Sequence, residues 1–576
     1  MKRRTIWVLA AGVAAVAVGG AAVGAVALLV RGGGRAPVGW SRGGAFLSLN
    51  VGGPLVEQPA PEWAELLETP RPSLRALVEA VDRAAVDSRV KGLVLRVTPL
   101  EAGWARVQEL RDAVARFSLT GKPCWAHLEF AGNREYYLAS GCSRIAAAPT
   151  ALLNVSGLAA EVTFLRGTLD KVGVEAQFEG VGKYKNAPNQ FTETGFTGPH
   201  REQMESLVDS LFEQYVAAVG ESRGLDEAAV RAAIDEGPFT APDALDAGLI
   251  DELLYRDEVE AKLPASERVG ATRYLRDSPG SWGSWFDKRP KLALVYAIGD
   301  IMPGESTSGP LGGGGVAGAD TISRGLRQAA EDERIRAIIL RVDSPGGVGM
   351  AADAIWREVG RARQHKPVIV SMGDAAASGG YYIAMNGDVI LAQPGTVTGS
   401  IGVFSGKFSM RGLYEKIGLS HETVRRGRHA GLFSTWDPWT EEERAKVRGL
   451  NEAFYDTFIA KAAEGRERSP EEIEAVAQGR IWTGAQAAEN GLVDGLGGLT
   501  TAVDFARERA GIAARQPVVL VVLPERKGLL DTLLQRQSED ITAQVLGPGG
   551  AAVVEWAARL GGHGPLARLP FDLQIR

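Results

Sequence analysis

The chain has 576 residues, with 64 Lys and Arg against 70 Asp and Glu, a net charge of −6. That balance removes nucleic acid as the main partner, since phosphate binding calls for a basic surface, and the 45% apolar content removes wholesale disorder. Two cysteines and six histidines exclude a disulfide framework, a four-cysteine zinc site and an all-histidine metal site, so packing must hold what at about 150 residues per domain amounts to three or four domain-sized units.

Lys2, Arg3 and Arg4 precede an uncharged, mostly apolar run from Thr5 to Val30. A bilayer core of about 30 Å takes roughly 20 helical residues, and this run is longer. A secretory signal has a shorter apolar region that ends at a small-x-small site. Such sites occur at Ala15-Val16-Ala17 and Ala25-Val26-Ala27, but the run continues past both. Length therefore favours one retained transmembrane helix within residues 1–31 over a cleaved signal. The basic end stays in the cytoplasm and the bulk of the chain lies on the extracytoplasmic side.

The remainder is a diverged tandem repeat. Val90–Val97 resembles Ile335–Val342, and Tyr136-Tyr137-Leu138-Ala139 matches Tyr381-Tyr382-Ile383-Ala384, both at a spacing of 245. Thr240 with Gly248-Leu249-Ile250-Asp251 matches Thr483 with Gly491-Leu492-Val493-Asp494 at 243. A period this long means domain duplication and not a solenoid. The expected divisions are a first repeat at 45–277, a Gly/Pro/Trp/Ser linker at 278–290 and a second repeat at 291–514. A C-terminal extension follows at 515–576; its Ala551–Leu560 stretch has helical spacing and no functional reading.

In the second repeat the apolar runs predict strands at Lys291–Ile298, Ala337–Val342 and Val368–Ser371, with helices at Thr321–Asp332 and about Ala351–Gln364 between them. Strands alternating with crossover helices predict an α/β fold with mainly parallel sheets. Sites in such sheets lie in the loops beyond the carboxyl ends of strands. Those loops are Asp343-Ser344-Pro345-Gly346-Gly347 and Gly373-Asp374 through Ser378-Gly379-Gly380-Tyr381-Tyr382. The second sets Ser378 at a strand-to-helix turn among small residues, the setting a nucleophilic hydroxyl needs. The backbone N–H of Gly379, with that of Gly346 or Gly347, is placed to face an oxyanion. The competing reading is that Ser378 caps the helix after it.

A serine nucleophile needs a base, and no histidine accompanies either loop. Lysine serves when burial lowers its pKa. The candidates are in the other repeat, in Gly182-Lys183-Tyr184-Lys185-Asn186, where an extended segment would point Lys183 and Lys185 the same way.

Ser-Pro-Gly-Gly, Asp-x-x-x-Ser-Gly-Gly-Tyr-Tyr, Thr398-Gly399-Ser400-Ile401-Gly402 and Gly-Lys-Tyr-Lys, in this order behind an anchor and across a duplication, together resemble the long form of signal peptide peptidase A (protease IV). The resemblance spans about residues 1–510. It implies a membrane-anchored serine peptidase with a Ser–Lys dyad, built on two tandem modules like those of the crotonases and caseinolytic peptidases. By resemblance Ser378 is the nucleophile, Lys185 the general base and Ser400 the residue that orients the lysine. Substrates would be apolar signal-peptide remnants in the membrane, the assembly a homo-oligomer of four chains, and no cofactor or metal is called for. At the repeat spacing Ser378 corresponds to Asn133, or to Arg134 with a one-residue gap, and Lys185 to Ala430. Each repeat thus keeps half a dyad, and one site per chain is expected. A silent scaffold on the same fold and a crotonase-like acyl-CoA enzyme are the alternatives.

Other features read as structural. Cys124 and Cys142 are expected as buried free thiols, Asp374 as a turn residue and Glu441–Arg448 as a solvated helix face. Leu311–Val316 reads as a flexible loop, because a phosphate loop needs a following Lys-Ser/Thr.

Overall fold

Apolar runs too continuous to alternate make strands buried on both faces, and both repeats are built on such runs. In the computed structural model, which describes residues 44–58, 72–263, 267–277, 288–307, 315–514, 516–525, 566–568 and 574–575, they form two sheets of the same order. The first runs Phe239–Thr240, Arg144–Asn154, Cys124–Gly132, Val90–Glu101, Ala45–Pro54, Glu267–Gly270. The second runs Ile481–Thr483, Val397–Gly399, Val368–Ala377, Ile335–Ser344, Lys291–Ile298, Val519–Leu523. Pairing is parallel along both, except at the short Phe239–Thr240 and Ile481–Thr483 edges. The architecture is mixed α/β with mainly parallel sheets in two tandem modules.

The edge strand Val519–Leu523 lies in the segment read from sequence as an extension. It pairs with Lys291–Ile298 as Glu267–Gly270 pairs with Ala45–Pro54, so the second sheet is completed from beyond residue 514. The predicted anchor in 1–31, most of the 278–290 linker, most of the Leu311–Val316 loop and the Ala551–Leu560 stretch lie outside the described residues. Among the described residues no helix is long and apolar enough to cross a membrane.

A third sheet joins the modules. Glu175–Val181 of the first repeat pairs antiparallel with Val403–Ser409 of the second, from Val181 opposite Val403 to Glu175 opposite Ser409. Side chains follow the backbone across. Val174, Ala187 and Phe191 pack in the second module's core, while Val397 and Ile481 pack in the first's. The first repeat's segment around residues 174–191 is thus built into its neighbour.

Candidate active site

The Val368–Ala377 strand ends against helix Gly379–Ala384, and Ser378 is the turn between them. Its φ of 54° is one that side-chain-bearing residues rarely adopt. The turn is held by Ser378 N–H donating to Gly399 O at 2.8 Å and by Tyr382 N–H donating to Ser378 O at 2.8 Å. The Ser378 side chain makes no capping hydrogen bond to the helix, so the hydroxyl is not spent as a cap. Gly380 lets the turn close on the neighbouring loop, since a Cβ there would sit 2.6 Å from Ser344 O.

Lys185 reaches this hydroxyl from the first repeat. After the Glu175–Val181 strand the chain turns, with Lys185 N–H donating to Gly182 O at 3.1 Å and Tyr184 N–H to Gln478 O at 2.8 Å. Gly479 makes the fit possible: a Cβ on it would lie 2.5 Å from Lys185 N. Lys185 Nζ donates to Ser378 Oγ at 2.7 Å and to Ser400 Oγ and Ser400 O, both at 3.0 Å. Lys185 is 5% exposed, and Ser378 and Ser400 are 0% exposed. Burial alone pushes the Lys185 pKa well below the usual lysine range.

Lys183 goes elsewhere, against the expectation that it points with Lys185. The segment is a turn and not an extended strand. Lys183 is exposed, with Nζ 3.0 Å from Tyr184 Oη and 3.8 Å from Glu202. In the first module Asn133, the counterpart of Ser378, donates its amide to Gly157 O at 2.8 Å.

The Gly346–Val348 strand pairs antiparallel with Leu566–Arg568, which also pairs with Phe404. The N–H of Gly346 donates to Ser344 Oγ at 3.1 Å, so this donor must be released or shared before it can face an oxyanion. Asp374 is more than a turn residue. It lies half-buried beside the buried Asp343 in a cluster of charges where the modules meet: Arg106, Glu57 and Glu109 from the first, Arg341, Asp343 and Asp374 from the second. Nothing local in the sequence marks this cluster, because the pairs that cross between the modules join residues more than two hundred positions apart. Cys124 and Cys142 are buried free thiols with their Sγ atoms 2.8 Å apart.

A buried serine hydroxyl bonded to a desolvated amine has the makings of an activated nucleophile, and relatives place the chain in an enzyme class that uses one. The protein is a serine peptidase. It is 34% identical to "Serine protease SPPA, chloroplastic" of Arabidopsis thaliana, over 86% of this chain and 73% of that one. It is 33% identical to "Protease 4" of Salmonella typhi, over 76% and 72%, and 30% identical to "Protease 4" of Haemophilus influenzae, over 87% and 82%. The family model for peptidase family S49 matches residues 116–270 and 361–513, once in each repeat. The chain belongs to peptidase family S49.

Proposed function

We propose that the protein is an endopeptidase in which Ser378 is the nucleophile and Lys185 its general base. The observation that carries this reading is the 2.7 Å contact between Lys185 Nζ and Ser378 Oγ in a buried setting that favours the neutral amine. Neutral Lys185 takes the proton as Oγ bonds to the scissile carbonyl carbon. The negative charge on the carbonyl oxygen is met by the N–H of Gly379 and that of Gly347 or Gly346. As the C–N bond breaks, Lys185 returns the proton to the leaving amine. Water then repeats the sequence on the acyl-enzyme. Ser400 orients the lysine through its hydroxyl and carbonyl.

The substrate lies as an antiparallel strand along Gly346–Val348 in place of the chain's own Leu566–Arg568, which takes that side of the strand in the structure. The apolar run at Thr5–Val30 anchors the enzyme by a single pass with the modules on the extracytoplasmic side. Its substrates there are apolar signal-peptide remnants, cut by a homo-oligomer of four chains. The working divisions are the anchor at 1–31, the lysine-bearing repeat at 45–277, the linker at 278–290, the serine-bearing repeat at 291–514 and the extension at 515–576, which lends the second repeat its edge strand Val519–Leu523.

The test is cleavage of a short apolar peptide by wild type, Ser378→Ala, Lys185→Ala and Lys183→Ala, alongside labelling of Ser378 by a fluorophosphonate, which phosphonylates the serine oxygen with loss of fluoride. Loss of cleavage in the first two folded variants, with Lys183→Ala at wild-type rate, is the expected result. Full activity in Ser378→Ala or Lys185→Ala overturns the reading.

A further inference from the structure

The first module's loop between strand Val90–Glu101 and helix Trp104–Ser118 occupies the place that Asp343–Val348 occupies in the second. It lacks the Ser-Pro-Gly-Gly sequence, yet it is turned onto the second module's site loops. Asp374 accepts the N–H of Gly103 at 2.8 Å and that of Arg106 at 2.9 Å, in the first turn of that helix. The Arg106 guanidinium donates to the Asp343 carboxylate, lies 3.1 Å from Asp374 and donates to Leu55 O at 2.8 Å. Asp343 also takes the N–H of Ala375 at 3.0 Å.

These two aspartates stand at the roots of the two functional loops. Asp343 immediately precedes Ser344-Pro345-Gly346-Gly347, and Asp374 lies near the end of the strand that leads into Ser378. The ladder between their strands does not by itself fix how the loops face each other. Its register is regular up to Val342 opposite Met372, then shifts before Ser344 meets Ala376. The irregular stretch contains both aspartates. One planar guanidinium bridges them, which a fork of donors does and a point charge does less well.

We infer that Arg106 is a positioning residue for the second module's site: it fixes the Gly346–Gly347 loop relative to the Ser378 turn, so the degenerate loop of the first module supports the oxyanion-binding geometry. This rests on the Ser378–Lys185 reading. Arg106 touches neither of those side chains, so its effect belongs to alignment in the transition state. A misplacement of about 1 Å costs on the order of 100-fold in rate.

The experiment uses the full chain with Arg106→Met, Arg106→Lys and, as a control, Lys185→Ala. Three quantities are read: kcat and KM on an apolar peptide, the affinity for a peptide aldehyde that forms an oxyanion on Ser378, and the affinity for the matching peptide alcohol that forms none. Arg106→Met should lower kcat about 10- to 100-fold with KM nearly unchanged. Aldehyde affinity should fall by a similar factor and alcohol affinity hold, and Arg106→Lys should recover part of both losses. If Arg106→Met does not fold, Arg106→Lys decides by the same split between aldehyde and alcohol. Wild-type kcat in a folded Arg106 variant overturns the inference, as does an equal loss of aldehyde and alcohol affinity. An active Lys185→Ala overturns the dyad itself, whatever the Arg106 variants do.

Discussion

Val181 and Val403 face each other at one end of the antiparallel pair that joins the two repeats. Lys185 follows a turn beyond the end of one strand and Ser400 stands just before the start of the other, so the register of the pair sets the distance between lysine and serine. Side chains alternate along a strand, and a shift by one residue changes what each faces. Inserting a single glycine between Gly182 and Lys185 keeps the strands paired and displaces Nζ from Oγ. Cleavage should fall at least about 10³-fold with the fold intact, as checked by peptide assay beside circular dichroism.

Activity should depend on pH in the direction set by the lysine. Its folded pKa lies well below the usual value because of burial, and the proposed mechanism uses the neutral amine. The rate should fall about tenfold per pH unit below that pKa and level off above it. Ser400→Ala removes one acceptor that favours the charged amine. The acid limb should therefore move to lower pH while the plateau drops, by about 10-fold or more. A kcat/KM profile of both proteins measures the two changes together.

The same burial acts on stability. A lysine whose folded pKa is depressed binds fewer protons folded than unfolded. The native state is therefore penalised below the folded pKa, and the penalty disappears as pH rises past the unfolded value of about 10.4. Lys185→Met should be inactive and more stable than wild type. Its advantage should be largest below the folded pKa and shrink as pH rises toward about 10.4, as followed by urea unfolding across pH.

Arg341 is 1% exposed and bonds Glu57 at 2.7 and 3.1 Å, Glu109 at 2.7 Å and the Ser371 hydroxyl at 2.8 Å. Arg341→Met leaves the buried Glu109 without its counter-charge and Glu57 with only Arg106, 3.5 Å away. Breaking one side of a buried ion pair destabilises by about 3–5 kcal/mol. The variant should show a loss of that order in chemical unfolding. Arg341→Met with Glu57→Gln and Glu109→Gln should regain much of it.

The sheet-forming runs were legible because buried parallel strands are apolar throughout. The predicted strand at Lys291–Ile298 matches, and the predicted helix at Ala351–Gln364 appears as Gly349–Arg363. The strand-to-helix position of Ser378 followed from the same pattern. The pairing that delivers Lys185 was not legible. Glu175–Val181 is only weakly apolar, and its partner lies more than two hundred residues away. Lys183 does not point with Lys185 because the turn after Val181 depends on a carbonyl from Gln478 in the other repeat. The charged run at Glu441–Arg448 is mostly exposed, as its composition suggests, but Glu443 folds back onto the N–H of Thr440, and Arg444 and Arg448 pair with Glu179 of the first repeat. Composition shows that a segment is charged, and only the fold shows which charge meets it.

The lysine segment's residence in the other module's core has a consequence for synthesis. The ribosome releases the first repeat long before residues 403–409 exist, leaving the Glu175–Val181 edge unpaired and Val174, Ala187 and Phe191 without their packing partners. An open strand edge beside exposed apolar side chains is an aggregation hazard for a nascent chain. It is also a safeguard. The lysine emerges early and the serine late, and the loop at Gln478–Gly479 that seats Lys185 emerges later still. On the Ser378–Lys185 reading, a chain halted before Gln478 has no seat for its lysine and cannot cleave.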